Sequence, residues 1–223
     1  MNSEKNTPKI VGILFITALA SSMISGVFLV SLDASDYLSV VSANENEVLI
    51  GVLFLLILVV SVVSIPIMMF PILKRHNESL ALGYVGARIF EGFCDAVLAI
   101  SPLLLVTLSR EFVTAEAPVA SYFQTSGAMI LAVSDWISIL ENIPYCLGAL
   151  MFYYVLYQSK LVPRWLSVWG IIGATLLLTR VPLSMFVFDP ISTSILAVPI
   201  IVNEMILAVW LFTKGFNSPA IAS

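Results

Sequence analysis

With one histidine, two cysteines and ten lysines and arginines in 223 residues, the chain is short of the groups that several chemistries need. His76 lies in the basic loop "LKRHNES", where a solvated side chain is the expected state, and no second histidine can share a metal with it. A zinc-type intramembrane hydrolase would have no ligand set. A Ser–His pair would need His76 inside the membrane region, and its loop position opposes that. Cys94 and Cys146 fall within apolar runs and read as small buried hydrophobes, not as a disulfide. A retinal-type Schiff base would need a lysine buried in the last span, whereas Lys214 stands at its end. No basic patch exists for nucleic acid, and no strand is expected to precede a Gly-rich phosphate loop. Neither a metal nor a cofactor is expected.

Apolar residues, by contrast, are abundant. They make up 60% of the chain, charged residues only 11%, and the mean hydropathy is +1.04. A soluble domain averages roughly 45–50% apolar and about 25% charged. The composition is that of an integral membrane protein, and the length suits one transmembrane domain over residues 1–223. The net charge of −4 sits mostly in short loops.

Apolar segments of span length occur at about 10–32, 48–70, 80–108, 134–158, 165–188 and 191–213, each near the roughly 20 residues that a bilayer needs. Only helices satisfy their backbone groups over such lengths, so the expected fold is an all-α six-helix bundle. The stretch "PVASYFQTSGAMI" is read as an outer interfacial or re-entrant helix, about 117–130, leading into the fourth span. Ala18-Leu19-Ala20 resembles a signal-peptidase site, but the apolar run continues to Leu32, so the first helix is read as uncleaved. Lys5, Lys9, Lys74, Arg75, Lys160, Arg164 and Lys214 fall on one side of this arrangement and Arg110 alone on the other. That asymmetry predicts a plasma-membrane protein with both termini cytoplasmic. Asp33, Asp36, Glu45, Glu47, Glu111, Glu116 and Asp189 collect on the outer side. Tyr153, Tyr154, Tyr157, Trp165, Trp169, Trp210 and Phe216 cluster near the cytoplasmic boundary, as an interfacial belt or as packing residues.

Charge within the spans is the informative exception. In "GYVGARIFEGFCDAVLAI", Arg88, Glu91 and Asp95 are spaced three and four apart and share one helical face with Tyr84. Three central charges cost about 8–10 kcal/mol on an insertion scale. The apolar residues of the span return only about 4–8 kcal/mol, so this face should turn away from lipid. A helical rise of 1.5 Å per residue puts Glu204 at about the depth of Arg88 and Glu91, Arg180 near Asp95, and Glu141 somewhat higher. The expected pairs are Arg88 with Glu91 and Glu204, and Arg180 with Asp95 or Glu141; Asn142 and Asn203 supply amide hydrogen bonds. Five acids, Asp135 included, face two arginines, and the excess must protonate or meet water or a cation. Pro144, Pro182 and Pro199 lie near these charges and are expected to kink their helices, as at transporter sites. An aspartyl dyad of Asp95 and Asp135 is disfavoured by their difference in depth.

Three stretches resemble a known family: "GYVGARIFEG", "YYVLYQSKLVPRWLSVWGIIGATLL" and "PIIVNEMILAVWLFTKGFN". Arg88 and Glu91, then Leu161 to Leu166, then Glu204 with Lys214-Gly215-Phe216 look like the recurring marks of the bacterial multi-pass membrane family named domain of unknown function 4386. The resemblance covers nearly all of the chain from about residue 45. It implies membrane residence and a six- or seven-helix bundle, and it carries over no catalytic role.

Three functional readings follow. The buried Arg/Glu/Asp network binds a small polar ligand, proton or cation in a transporter or sensor. Alternatively, the network only orients helices in a structural component or assembly subunit, with the bilayer and further subunits as partners. The third reading is an intramembrane enzyme using the carboxylates as acid and base.

Overall fold

The computed structural model describes residues 2–115, 117–186 and 193–217; Glu116 and Asp189, expected on the outer side, lie outside them. The described chain is all-α, and no strand occurs among the described residues. Its helices are α1 (Asn2–Phe28), α2 (Tyr37–Ala43), α3 (Glu45–Leu73), α4 (Glu78–Leu98), α5 (Ile100–Thr114), α6 (Ala117–Leu140), α7 (Asn142–Ser159), α8 (Arg164–Phe186) and α9 (Val198–Thr213).

Among the described residues six helical segments are long and apolar enough to cross a membrane: Asn6–Phe28, Glu45–Leu73, Glu78–Thr114, Ser121–Ser159, Arg164–Phe186 and Ile195–Thr213. The chain is a multi-pass membrane protein. Two of these segments, of 37 and 39 residues, are longer than one crossing needs, and each is broken once, at Ala99 and at Glu141. Both breaks have the same cause. A proline at position i has no N–H for the carbonyl at i−4. Pro102 leaves the Leu98 carbonyl without its helical partner, and Pro144 does the same to Leu140, where α4 and α6 end.

Two expectations are corrected here. Residues 117–130 are not a helix of their own: α6 runs unbroken from Ala117 to Leu140. Pro199 does not kink its helix: it occupies the first turn of α9, where a missing N–H costs nothing. Of the three prolines near charge, Pro182 alone lies beyond the first turn of its helix.

The described residues pack as two compact units. The first comprises the described residues among 1–17, 60–92 and 139–223, and the second those among 18–59 and 93–138. In the first unit α7 and α8 form an antiparallel hairpin, and α9 packs on α8. The helix backbones come close where a side chain is missing. A Cβ on Gly173 would lie 2.9 Å from the Ile200 nitrogen, and one on Gly170 only 2.4 Å from the Tyr153 ring. The core of this unit gathers Val11, Met69, Leu73, Leu156, Leu161 and Leu207. The second unit has a small core of Val41, Val48 and Val106. It is tied by the Ser25 hydroxyl donating to the Gly51 carbonyl at 3.0 Å, and by the Tyr37 hydroxyl donating to the Gln124 carbonyl at 2.9 Å.

Candidate functional site

Helix α4 is amphipathic in reverse. Its buried stripe is Ala81, Tyr84, Arg88, Glu91 and Gly92, at helical spacing, while Leu82, Ile89, Phe90 and Phe93 are exposed. A helix in water buries its apolar stripe; here the polar residues are inside and large hydrophobes outside, as lipid demands.

Within the first unit, Arg88 is 4% exposed and Glu91 6%. One terminal nitrogen of the guanidinium, Nη1, donates to Glu91 Oε1 at 3.1 Å and lies 3.0 Å from Oε2. The i, i+3 spacing that puts both residues on one face also sets the pair. The guanidinium stands 5.3 Å from the centre of the Tyr145 ring. Gly148 of α7 gives the arginine stem its room: a Cβ there would sit 3.4 Å from Arg88 Cγ and Cδ. Arg88 Nε has no hydrogen-bond partner among the described residues.

Glu204 of α9 is half-buried, and its carboxylate lies in the field of Arg88, with the Tyr145 hydroxyl in hydrogen-bonding reach. Tyr84, Tyr153 and Cys146 are further titratable groups around it. Two of these tyrosines are built into aromatic packing: Tyr84 stacks on Phe152 at 4.8 Å, and Phe152 lies 5.3 Å from Tyr153. One guanidinium thus faces two carboxylates, Glu91 and Glu204, amid phenols and apolar side chains.

Asn203, fully buried beside Glu204 in sequence, donates from Nδ2 to the Leu166 carbonyl at 2.9 Å and ties α9 to α8. Its Oδ1, the Ser167 hydroxyl and the Tyr153 hydroxyl are buried without a partner among the described residues.

A family model described as a domain of unknown function (DUF4386) matches residues 10–215. The chain belongs to that family. No curated protein and no solved structure matches it. For this DUF4386 member the matched region contains Arg88, Glu91 and Glu204.

The other residues expected in the network are placed differently. Arg180 of α8 forms no ion pair with a described residue, and its Nε has no hydrogen-bond partner among them. Glu141 is half-buried at the α6–α7 break, and Asn142 donates to the Ile139 carbonyl at 3.1 Å, a local bond within that break. Asp95 is half-buried on α4 and belongs to the second unit. Among the described residues no three His, Cys, Asp or Glu side chains converge as a metal cage.

Sequence reasoning missed Tyr145 and left the belt residues open between interface and packing. Tyr153, 1% exposed, and Phe216, 6%, belong to the core, whereas Tyr154, Tyr157 and Trp165 remain at the surface. Gly170 was the available signal: one helical hairpin earlier stands the ring that fills the space it leaves.

Proposed function

We propose that this protein resides in the plasma membrane with both termini cytoplasmic. In this reading it is a small transporter or sensor whose cluster around Arg88, Glu91 and Glu204 binds a small cation, in the simplest case a proton. The observation that carries the reading is the surplus carboxylate: Glu91 is matched by Arg88 at 3.0 Å, and Glu204 is a second acid in the field of the same guanidinium. An ionised carboxylate away from water must gain a proton, a cation or a hydrogen-bond donor. Close packing at Gly148 and Gly170 favours an occupant that needs little room. The excess of basic residues on one side supports the orientation.

The test is thermal unfolding of the purified protein across pH and across sodium and potassium concentrations at constant ionic strength. Glu204→Gln should fold and lose a pH- or ion-dependent shift that the wild type shows. Identical responses in the two proteins would end the proposal. The second reading, a network that only fixes helix orientation, is favoured by the Asn203–Leu166 tie. It predicts that Glu204→Gln changes stability with no sodium- or potassium-dependent difference from the wild type.

A further inference from the structure

One end of the first unit gathers several exposed cations. Three chain segments meet there in the core: Leu73 at the end of α3, Leu161 and Val162 between α7 and α8, and Phe216 after α9. The last two are fastened directly, since the Asn217 amide donates to the Leu161 carbonyl at 2.9 Å and its Nδ2 to the Lys160 carbonyl at 2.7 Å. Pro8 of α1 packs within 3.5 Å of the point where a Cβ on Gly215 would stand. Each anchor carries an exposed cation nearby in sequence: Lys9 after Pro8, Lys74 after Leu73, Lys160 before Leu161, Arg164 after Val162, and Lys214 before Phe216. None of these five forms an ion pair with a described residue.

Three of the cations are held over aromatic rings. Lys74 Nζ lies 5.6 Å from the Phe70 ring centre, the Arg164 guanidinium 5.0 Å from Tyr157, and Lys214 Nζ 5.5 Å from Trp210. Cation–π contacts leave the N–H groups free to donate outward while fixing where the charge sits. Trp165, 53% exposed, stands beside Arg164. Aromatic rings with cations at the ends of apolar helices mark the level of lipid headgroups. We propose that this rim binds the headgroup of an anionic phospholipid, with Lys160, Arg164 and Lys214 as its main donors. Charge complementarity names the occupant: a zwitterionic headgroup brings its own cation, and a free anion has no use for the aromatic collar.

Lys160 offers a clean probe, because its backbone is left-handed at φ +56°. Glycine adopts that conformation without strain, so Lys160→Gly removes the charge and relieves the backbone. The full chain in neutral detergent is titrated with phosphatidylglycerol, with phosphatidylcholine and with inorganic phosphate, reading retained lipid by native mass spectrometry and the melting temperature. Phosphatidylglycerol should be retained and raise the melting temperature; the other two should do neither. Lys160→Gly with Arg164→Gln and Lys214→Gln should weaken retention about a hundred-fold. Arg110→Gln, in the second unit, should leave retention unchanged. If the triple variant does not fold, Lys160→Gly alone still decides, with weaker retention at an unreduced melting temperature. Equal retention of phosphatidylcholine, an equal effect of phosphate, or unchanged retention in the lysine variants would overturn the proposal.

Discussion

Replacing Arg88 by methionine tests the electrostatics of the cluster most sharply. The pair it breaks is buried on both sides and closed at 3.0 Å. Methionine keeps the length of the stem that passes Gly148, so little of the effect comes from lost packing. What remains is Glu91 without its cation and Glu204 without the guanidinium in its field. Removing one partner of a buried pair costs about 3–5 kcal/mol, because the other charge is left uncompensated. The contact with the Tyr145 ring, worth about 0.5–2 kcal/mol, is part of that loss. Adding Glu91→Gln should recover part of it, since it removes one of the two carboxylates left without a cation. Reversible unfolding in mixed micelles of wild type, both single variants and the double variant closes the cycle. A single-variant cost below about 1 kcal/mol, the range of exposed pairs, would refute the reasoning, and so would a double variant no more stable than Arg88→Met.

Three further outcomes follow from particular contacts. Gly173→Ala should destabilise by about 1–3 kcal/mol, because its Cβ meets the backbone of Ile200 at 2.9 Å, while Gly86→Ala, with open space around it, should stabilise slightly; melting temperatures of both variants check this contrast. Asn203→Asp replaces the donor to the Leu166 carbonyl with an acceptor at a fully buried position and should cost about 2–3 kcal/mol by the same unfolding measurement. Arg110→Gln breaks the exposed pair with Glu45 in the second unit and should lower the melting temperature only slightly, a difference that shrinks when melting is repeated at high salt.

The spans were legible in the sequence because a bilayer imposes one length and one composition on every helix that crosses it. The Arg88–Glu91 pair was legible for a related reason: it is local, set by i, i+3 spacing on one helix. Glu204 was within reach of depth counting, since it needs only the level of two helices and not their rotation. Rotation is where reading stopped. Whether Tyr145 and Tyr153 turn towards Arg88 or towards lipid depends on how α7 packs, with Gly148 of α7 against Arg88 and Gly170 of α8 against the Tyr153 ring. Arg180 shows the same limit from the other side: its depth matched Asp95, but depth alone sets no partner. The breaks at Ala99 and Glu141 could have been found, since each lies just beyond the carbonyl that a proline leaves unmatched.

The central physical claim is that α4 turns its charged stripe inward and its large hydrophobes to lipid. The most direct measurement is nitroxide scanning of residues 81–93 in bilayers, with Cys94 and Cys146 replaced by alanine, reading collision with lipid-dissolved oxygen by electron paramagnetic resonance. Accessibility should peak at Leu82, Ile89, Phe90 and Phe93 and fall to minima at Ala81, Tyr84, Arg88 and Glu91. Peaks at Tyr84, Arg88 and Glu91 would contradict it.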